Sequence, residues 1–206
     1  MQAEPARAAK RLLDIFSSLA GLLLLAPLFA AIAVWIRLDS PGPVFFRQER
    51  VGRHGAPFRI HKFRTMRAAP GASDSGITVG ADPRITRAGA FLRRSKLDEL
   101  PQLIDVLRGD MSLVGPRPEV PRYVADYPAD VRAKVLSVRP GITDLASLQY
   151  RDESALLARA ADPEREYREV VLPAKLRLAV EYVDHATLAG DLRLIGLTLR
   201  TLLGPR

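Results

Sequence analysis

The chain contains no cysteine, which excludes disulfides and thiolate metal sites. Aromatic residues make up only 6% of it, and no aromatic-basic strand motif of the RNA-binding kind is present. Nucleic acid is therefore not the expected partner. The three histidines, His54, His61 and His185, lack the spacing of a zinc motif and read as hairpin or helix residues. No G-x-G-x-x-G or Walker pattern occurs, so Gly52 and Gly55 read as turn residues. Acidic residues are the minority charge, 23 Asp and Glu against 31 Lys and Arg, for a formal net charge of +8. A balance of that sign suits anionic partners such as phospholipid or nucleotide. The 206 residues suffice for one core with additions, and no internal repeat is visible.

Charge is missing altogether from Leu19 to Ile36, LAGLLLLAPLFAAIAVWI. Such a run approaches the ~20 residues that cross a bilayer. It ends in Val34-Trp35-Ile36-Arg37 rather than the small residues of a cleavage site, which argues against a signal peptide. A buried core helix is the plainer alternative. Pro27 removes a backbone donor in mid-run, so a kink or break is expected there. Basic residues flank both sides: Arg7, Lys10 and Arg11 before, Arg37, Arg47, Arg50 and Arg53 after. Positive flanks stay cytoplasmic, and here both ask for the same side. A re-entrant helix-break-helix satisfies both, provided protein covers the freed backbone groups. Asp14 reads as a helix-start acid or an ion-pair partner of Lys10 or Arg11.

The remainder, residues 39–206, reads as a catalytic domain continuous with the membrane segment 1–38. Val44–Gln48 and Phe58–Phe63 predict two strands, with Gly52-Arg53-His54-Gly55 as the hairpin turn. Ala69 to Gly89 reads as a long loop. Pro101 belongs in the first turn of a helix, which places the N-cap near Asp98. Leu100, Leu103, Ile104 and Leu107 then share a face, and Gly109 closes the helix. Ser154–Ala161, Pro163–Leu172 and Ala174–His185 are further helical segments. Leu188, Leu192, Ile195, Leu199 and Leu202 form an apolar stripe among Arg193, Arg200 and Arg206. That stripe suits a membrane interface or a core equally well. The expected class is α/β, mostly helical with a small β-hairpin, a re-entrant membrane helix and interfacial amphipathic helices.

Asp98 and Glu99 are adjacent carboxylates at this helix start. Spacing alone is explained by an N-cap Asp followed by a dipole-favoured Glu. The context adds Lys62, Arg93, Arg94 and Arg117, cations suited to a phosphorylated ligand. A helix N-terminus also favours phosphate. Two acids with nucleotide phosphates suit Mg²⁺, with Asp98 and Glu99 as its ligands. An aspartate can equally be a nucleophile toward phosphorus, with cations offsetting like-charge repulsion.

In order, the chain carries KRLLDIF, LAP, RLDSPGPVFFRQERVG, HKFRTM, KLDELPQLIDVLRGDMSLVGPRP, RPGIT and YVDHATLAGDLRLI. This set, over about residues 10–200, resembles the bacterial sugar transferase family, monotopic phosphoglycosyl transferases acting on polyprenol phosphate. The length suggests the minimal catalytic form. The resemblance implies transfer of a sugar 1-phosphate from a UDP-sugar to undecaprenyl phosphate, releasing UMP, at the cytoplasmic face of the bacterial inner membrane. It implies that Asp98 is the nucleophile, that Glu99 assists through Mg²⁺ or proton handling, and that Lys62, Arg93 and Arg117 face phosphate. It matches the Pro27-broken segment to a re-entrant membrane helix. Many members carry Ser where this chain has Ala26, and many continue differently after RPGIT. Asp144, Gln149 and Arg151 in that divergent stretch are candidates for nucleotide or sugar recognition. Rival readings are the same reaction through a ternary complex and a non-catalytic membrane-surface adaptor. Leu-rich helices leave a homodimer open.

Overall fold

A computed structural model describes residues 4–67, 77–80 and 82–203. Helix α1 (Glu4–Asp39) runs 36 residues and contains Pro27. The expected helix-break-helix is not divided into two helices. A proline deletes one donor and crowds one turn, and the leucine- and alanine-rich turns on either side continue the helix. The core-helix alternative is disfavoured, because only 11% of its most apolar 18-residue window is buried.

Strands β1 (Phe45–Val51) and β2 (Pro57–Phe63) form the expected antiparallel hairpin, in register from Phe45 opposite Phe63 to Val51 opposite Pro57. The turn between them carries His54 and Gly55 in left-handed conformation, at φ 59° and 81°. The expected Ala69–Gly89 loop lies partly outside the described residues and ends earlier, because α2 (Arg87–Ser95) already starts at Arg87. Thr86 accepts from Gly89 N at 3.0 Å and caps that helix. A 3-10 turn, Leu97–Glu99, precedes α3 (Gln102–Arg108), which Gly109 closes at φ 96° as expected. Then follow β3 (Ser112–Val114), α4 (Pro121–Val124), α5 (Ala129–Val135) and β4 (Gly141–Thr143). β3 and β4 pair in parallel, Ser112 opposite Gly141 and Val114 opposite Thr143. Helices α6 (Leu145–Gln149), α7 (Glu153–Leu157) and α8 (Pro163–Glu166) lead through a π turn, Tyr167–Val171, into α9 (Leu172–His185) and α10 (Leu188–Leu203).

The largest apolar cluster joins α4, α5, α7 and α9 around Tyr123 and Tyr167, whose rings lie 4.6 Å apart. A second cluster seats Phe29, Ile32 and Ile36 of α1 on Phe63 and Leu92. Polar contacts tie down the start of α1. Lys10 Nζ donates to Asp191 Oδ2 at 2.6 Å and to Val114 O at 3.0 Å. Arg11 donates to the carbonyls of Val106 and Leu107. Asp14 pairs with neither cation, contrary to expectation. It is buried and accepts from Ser112 Oγ at 3.1 Å and Leu113 N at 3.0 Å. The interior side of α10 is Asp191 and Leu194, while Leu192, Leu197 and Leu199 are exposed. Of the expected stripe, Leu192 and Leu199 face outward, whereas Leu188 and Ile195 are half-buried and Ile195 packs against the cluster of Val114, Tyr182 and Leu194. The side chain of Leu202 and all of Arg206 lie outside the described residues.

Candidate active site

Lys96 ends α2 in left-handed conformation, φ 58° and ψ 15°, and turns the chain into the Leu97–Glu99 turn. Asp98 therefore does not cap α3. Pro101 holds the cap position with helical angles, and the helical path runs on through Leu100. Ser95 does not reach the Leu97–Glu99 turn either, since its Oγ donates back to Phe91 O at 2.8 Å. Asp98 is freed from the cap role that its spacing suggests.

Glu99 lies between two cations. Lys62 Nζ donates to Oε1 at 2.8 Å. Arg117 forks across the carboxylate, with Nη2 on Oε1 and Nη1 on Oε2 at 3.2 Å. Lys62 projects from β2 beside His61, whose backbone N and ring Nδ1 grip Asp105 of α3 at 2.8 and 2.5 Å. Arg117 is held by its own turn. Its N donates to Asp144 Oδ2 at 3.2 Å, Gly115 N donates to Thr143 O, and Gly141 N donates to Pro116 O. Buried Glu119 anchors the far side by accepting from Tyr167 Oη at 2.7 Å, while Arg50 reaches Pro118 O at 3.2 Å.

These surroundings drive the two acids apart. Burial, reinforced by the Glu99 charge, pushes the Asp98 carboxyl up to about 6, against the opposing pull of Lys62, Arg93 and Lys96. Burial alone would raise Glu99 too, but Arg117 and Lys62 outweigh it and hold Glu99 well below the ordinary carboxylate range. Burial lowers Lys62, with Glu99 resisting, whereas the Glu99 charge raises Arg117. Asp98 is 8% exposed and its Oδ1 has no protein partner. Glu99 is thus a charge anchor, and Asp98 is a carboxylate with an uncommitted oxygen.

The residues of the site bear differently on the expectations. Lys62, Glu99 and Arg117 meet directly, and Arg93 reaches Asp98 through its charge. Asp144 joins the site from behind, capping α6 through Ser147 N at 2.6 Å while accepting from Arg117 N. Gln149 is exposed and Arg151 half-buried, and among the described residues no hydrogen bond or ion pair links either to the acid pair. Pro27 lies in α1, outside this cluster. Sequence reasoning missed the supports Asp105, Glu119, Tyr167 and Arg50, which lie far apart along the chain. It also missed Gln102, four residues past Asp98 and buried.

The bacterial sugar transferase model matches residues 5–205. The chain belongs to the bacterial sugar transferase family. Among similar family members is the UDP-glucose:undecaprenyl-phosphate glucose-1-phosphate transferase of Escherichia coli K12. It is 36% identical over 198 residues, 94% of this chain and 40% of that protein. The protein of the same name from Caulobacter vibrioides is 44% identical over 151 residues, 68% of this chain and 53% of that one. The UDP-N-acetylgalactosamine-undecaprenyl-phosphate N-acetylgalactosaminephosphotransferase of Aeromonas hydrophila is 36% identical over 196 residues, 94% of this chain and 43% of that one. The chain therefore spans about half or less of the length of these family members.

Proposed function

We propose that this chain transfers a sugar 1-phosphate from a UDP-sugar to undecaprenyl phosphate at the cytoplasmic face of the bacterial inner membrane, an initiating step in glycoconjugate assembly. The observation that carries the reading is the division of labour in the acid pair: Glu99 paired with Lys62 and Arg117, Asp98 buried with a free oxygen. The names of the similar proteins supply donor and acceptor class, and differ in the sugar, glucose or N-acetylgalactosamine.

In the first step a carboxylate oxygen of Asp98 attacks the β-phosphorus. The carboxylate O–P bond forms, the bond to the bridging oxygen breaks, and UMP leaves with that electron pair. In the second step a phosphate oxygen of the polyprenol phosphate attacks the same phosphorus and releases the Asp98 carboxylate. Negative charge is conserved in each step, so neither requires a proton. Lys62 and Arg117, aligned by Glu99, offer donors to the diphosphate as it approaches a like-charged nucleophile. The donor set also fits Mg²⁺: the Asp98 and Glu99 carboxylates each offer more lone pairs than their protein partners use. When bound there, the ion neutralises diphosphate charge.

The substrate from the lipid explains the apolar surface. Leu23 and Leu24 of α1 and Leu192 and Leu199 of α10 are exposed. We read α1 as re-entrant, because its parts before and after Pro27 are both held to one body, at Lys10, Arg11 and Asp14 and again at Ile32 and Ile36. The outward-facing Leu192 and Leu199 of α10 suit a membrane interface.

The test is UMP release from a panel of UDP-sugars with undecaprenyl phosphate in detergent or vesicles. Wild type is expected to form a phospho-sugar adduct on Asp98 with one donor, and Asp98→Asn to lose both adduct and turnover, by about 10⁴-fold or more. Excess chelator is expected to stop turnover. A near-normal rate in Asp98→Asn overturns the covalent route, and no UMP release with any donor overturns the reading itself.

A further inference from the structure

Among the described residues, eight buried side-chain polar atoms have no protein partner, and three of them are Asp98 Oδ1 and Gln102 Nε2 and Oε1. Gln102 is 1% exposed, a burial at which an amide ordinarily has partners. Its place on the backbone explains why the two groups concern each other. From Leu97 to Arg108 the chain follows a helical path, with Leu100 N bonded to Leu97 O, Leu103 N to Leu100 O and Ile104 N to Pro101 O. Along it the buried positions are Asp98, Pro101, Gln102, Asp105 and Val106. Burial turns all five positions inward, and Gln102 lies little more than one turn past Asp98 along this path, which opens as a 3-10 turn. An unpaired acceptor and an unpaired donor are therefore both turned inward beside the reacting group.

We propose that Gln102 is a positioning residue for the transfer reaction: its Nε2–H donates to Asp98 Oδ1 in the reacting state and directs the other carboxylate oxygen toward phosphorus. The inference rests on the reading of Asp98 as nucleophile. With Oε1 also unpartnered, nothing holds the amide elsewhere, and it can turn its N–H toward the carboxylate. Neighbouring groups do not offer Asp98 the same service. Lys62 donates to Glu99, and Arg93 and Lys96 reach Asp98 through their charge. The amide differs from those cations in being neutral. It can fix the orientation of a carboxylate without forming an ion pair that attack would have to break.

The experiment is a single-turnover burst of UMP from the donor in the absence of polyprenol phosphate, on the full chain in detergent. The variants are Gln102→Leu and Gln102→Met, which keep the volume and remove the amide. Both are expected to keep the burst amplitude and the donor Kd while the burst rate falls on the order of 100-fold, the loss expected from a misplaced nucleophile. A structural role would lower the amplitude, the active fraction, and leave the rate of the remaining molecules unchanged. That outcome overturns the proposal, as does a wild-type rate in either variant. Gln102→Glu keeps the shape and supplies a carboxylate in place of the donor, and recovery of the wild-type rate in it would equally overturn the proposal. Wild type and Asp98→Asn run beside them: a wild-type burst abolished in Asp98→Asn, with Gln102→Leu unaffected, sinks only the role of Gln102. A wild type without any burst sinks the nucleophile reading itself.

Discussion

Two adjacent carboxylates with opposite displacements are the central feature at the scale of residues, and the displacement has consequences that can be measured. In the proposed reaction Asp98 must be ionised to attack. With its carboxyl pushed up to about 6, kcat/KM for the donor is expected to be flat near neutral pH and to fall about tenfold per pH unit below that value. An ordinary Asp would place this limb about two pH units lower. A pH–rate profile of UMP release from pH 4.5 to 8 decides between them. The same displacement acts on stability. Because the folded state holds the Asp98 proton more tightly than the unfolded chain, this group's contribution falls as pH rises from the ordinary carboxylate range through about 6. At pH 7 Asp98→Asn is therefore expected to be more stable than wild type, by up to roughly 3 kcal/mol at about 1.4 kcal/mol per pH unit of displacement. Thermal unfolding of both proteins at pH 5 and pH 7 checks the sign, since the gap should narrow at the lower pH. The acids and the cations Lys62 and Arg117 were legible in the sequence because their chemistry is carried by residue type. The allocation was not: which acid meets the cations depends on Lys96, Leu97 and Pro101 bending the chain, and the cap reading of Asp98 gave way there.

Among the elements, the hairpin and α3 were readable because alternation, turn residues and the closing Gly109 are local signals. The parallel β3–β4 pair was not. Each strand has three residues, and their partners lie 29 positions apart, Ser112 opposite Gly141, so no periodicity reports them. Yet this pair aims Arg117. The two strands approach so closely that a Cβ on Gly141 would lie 2.5 Å from Gly115 O and closer still to its amide nitrogen. Gly141→Ala is therefore expected to destabilise the protein by about 1–3 kcal/mol. It should also raise the donor KM, because Gly141 N holds the Pro116 carbonyl of the turn that carries Arg117. Gly196→Ala, in α10 with open space where the Cβ would go, should be neutral or stabilising by up to about 1 kcal/mol. Melting temperatures and donor KM of the two variants, measured together, separate strand crowding from a general intolerance of alanine.

For the molecule as a whole, the proposed function asks one helix to serve both a bilayer and a polar site. At about 1.5 Å per residue, the 36 residues of α1 extend roughly 54 Å, well beyond the ~30 Å of a hydrocarbon core. A helix passing straight through would carry one end far from the body that holds the other. Lys10 and Asp14 are fastened near β3 and α10, and Ile32 and Ile36 are seated on Phe63 and Leu92, while Leu23 and Leu24 between them face outward, a set of contacts that the proposed re-entrant course accommodates. The flanking arginines ask for the same arrangement on independent grounds, since each side of the run is basic. The lack of cysteine makes this testable without background labelling. Ala8→Cys and Glu49→Cys place single thiols on exposed positions before and after the apolar run. In intact cells a membrane-impermeant maleimide is expected to label neither, and after permeabilisation both. Labelling of just one thiol from outside would make α1 a spanning helix and return Pro27 to the status of a tolerated kink.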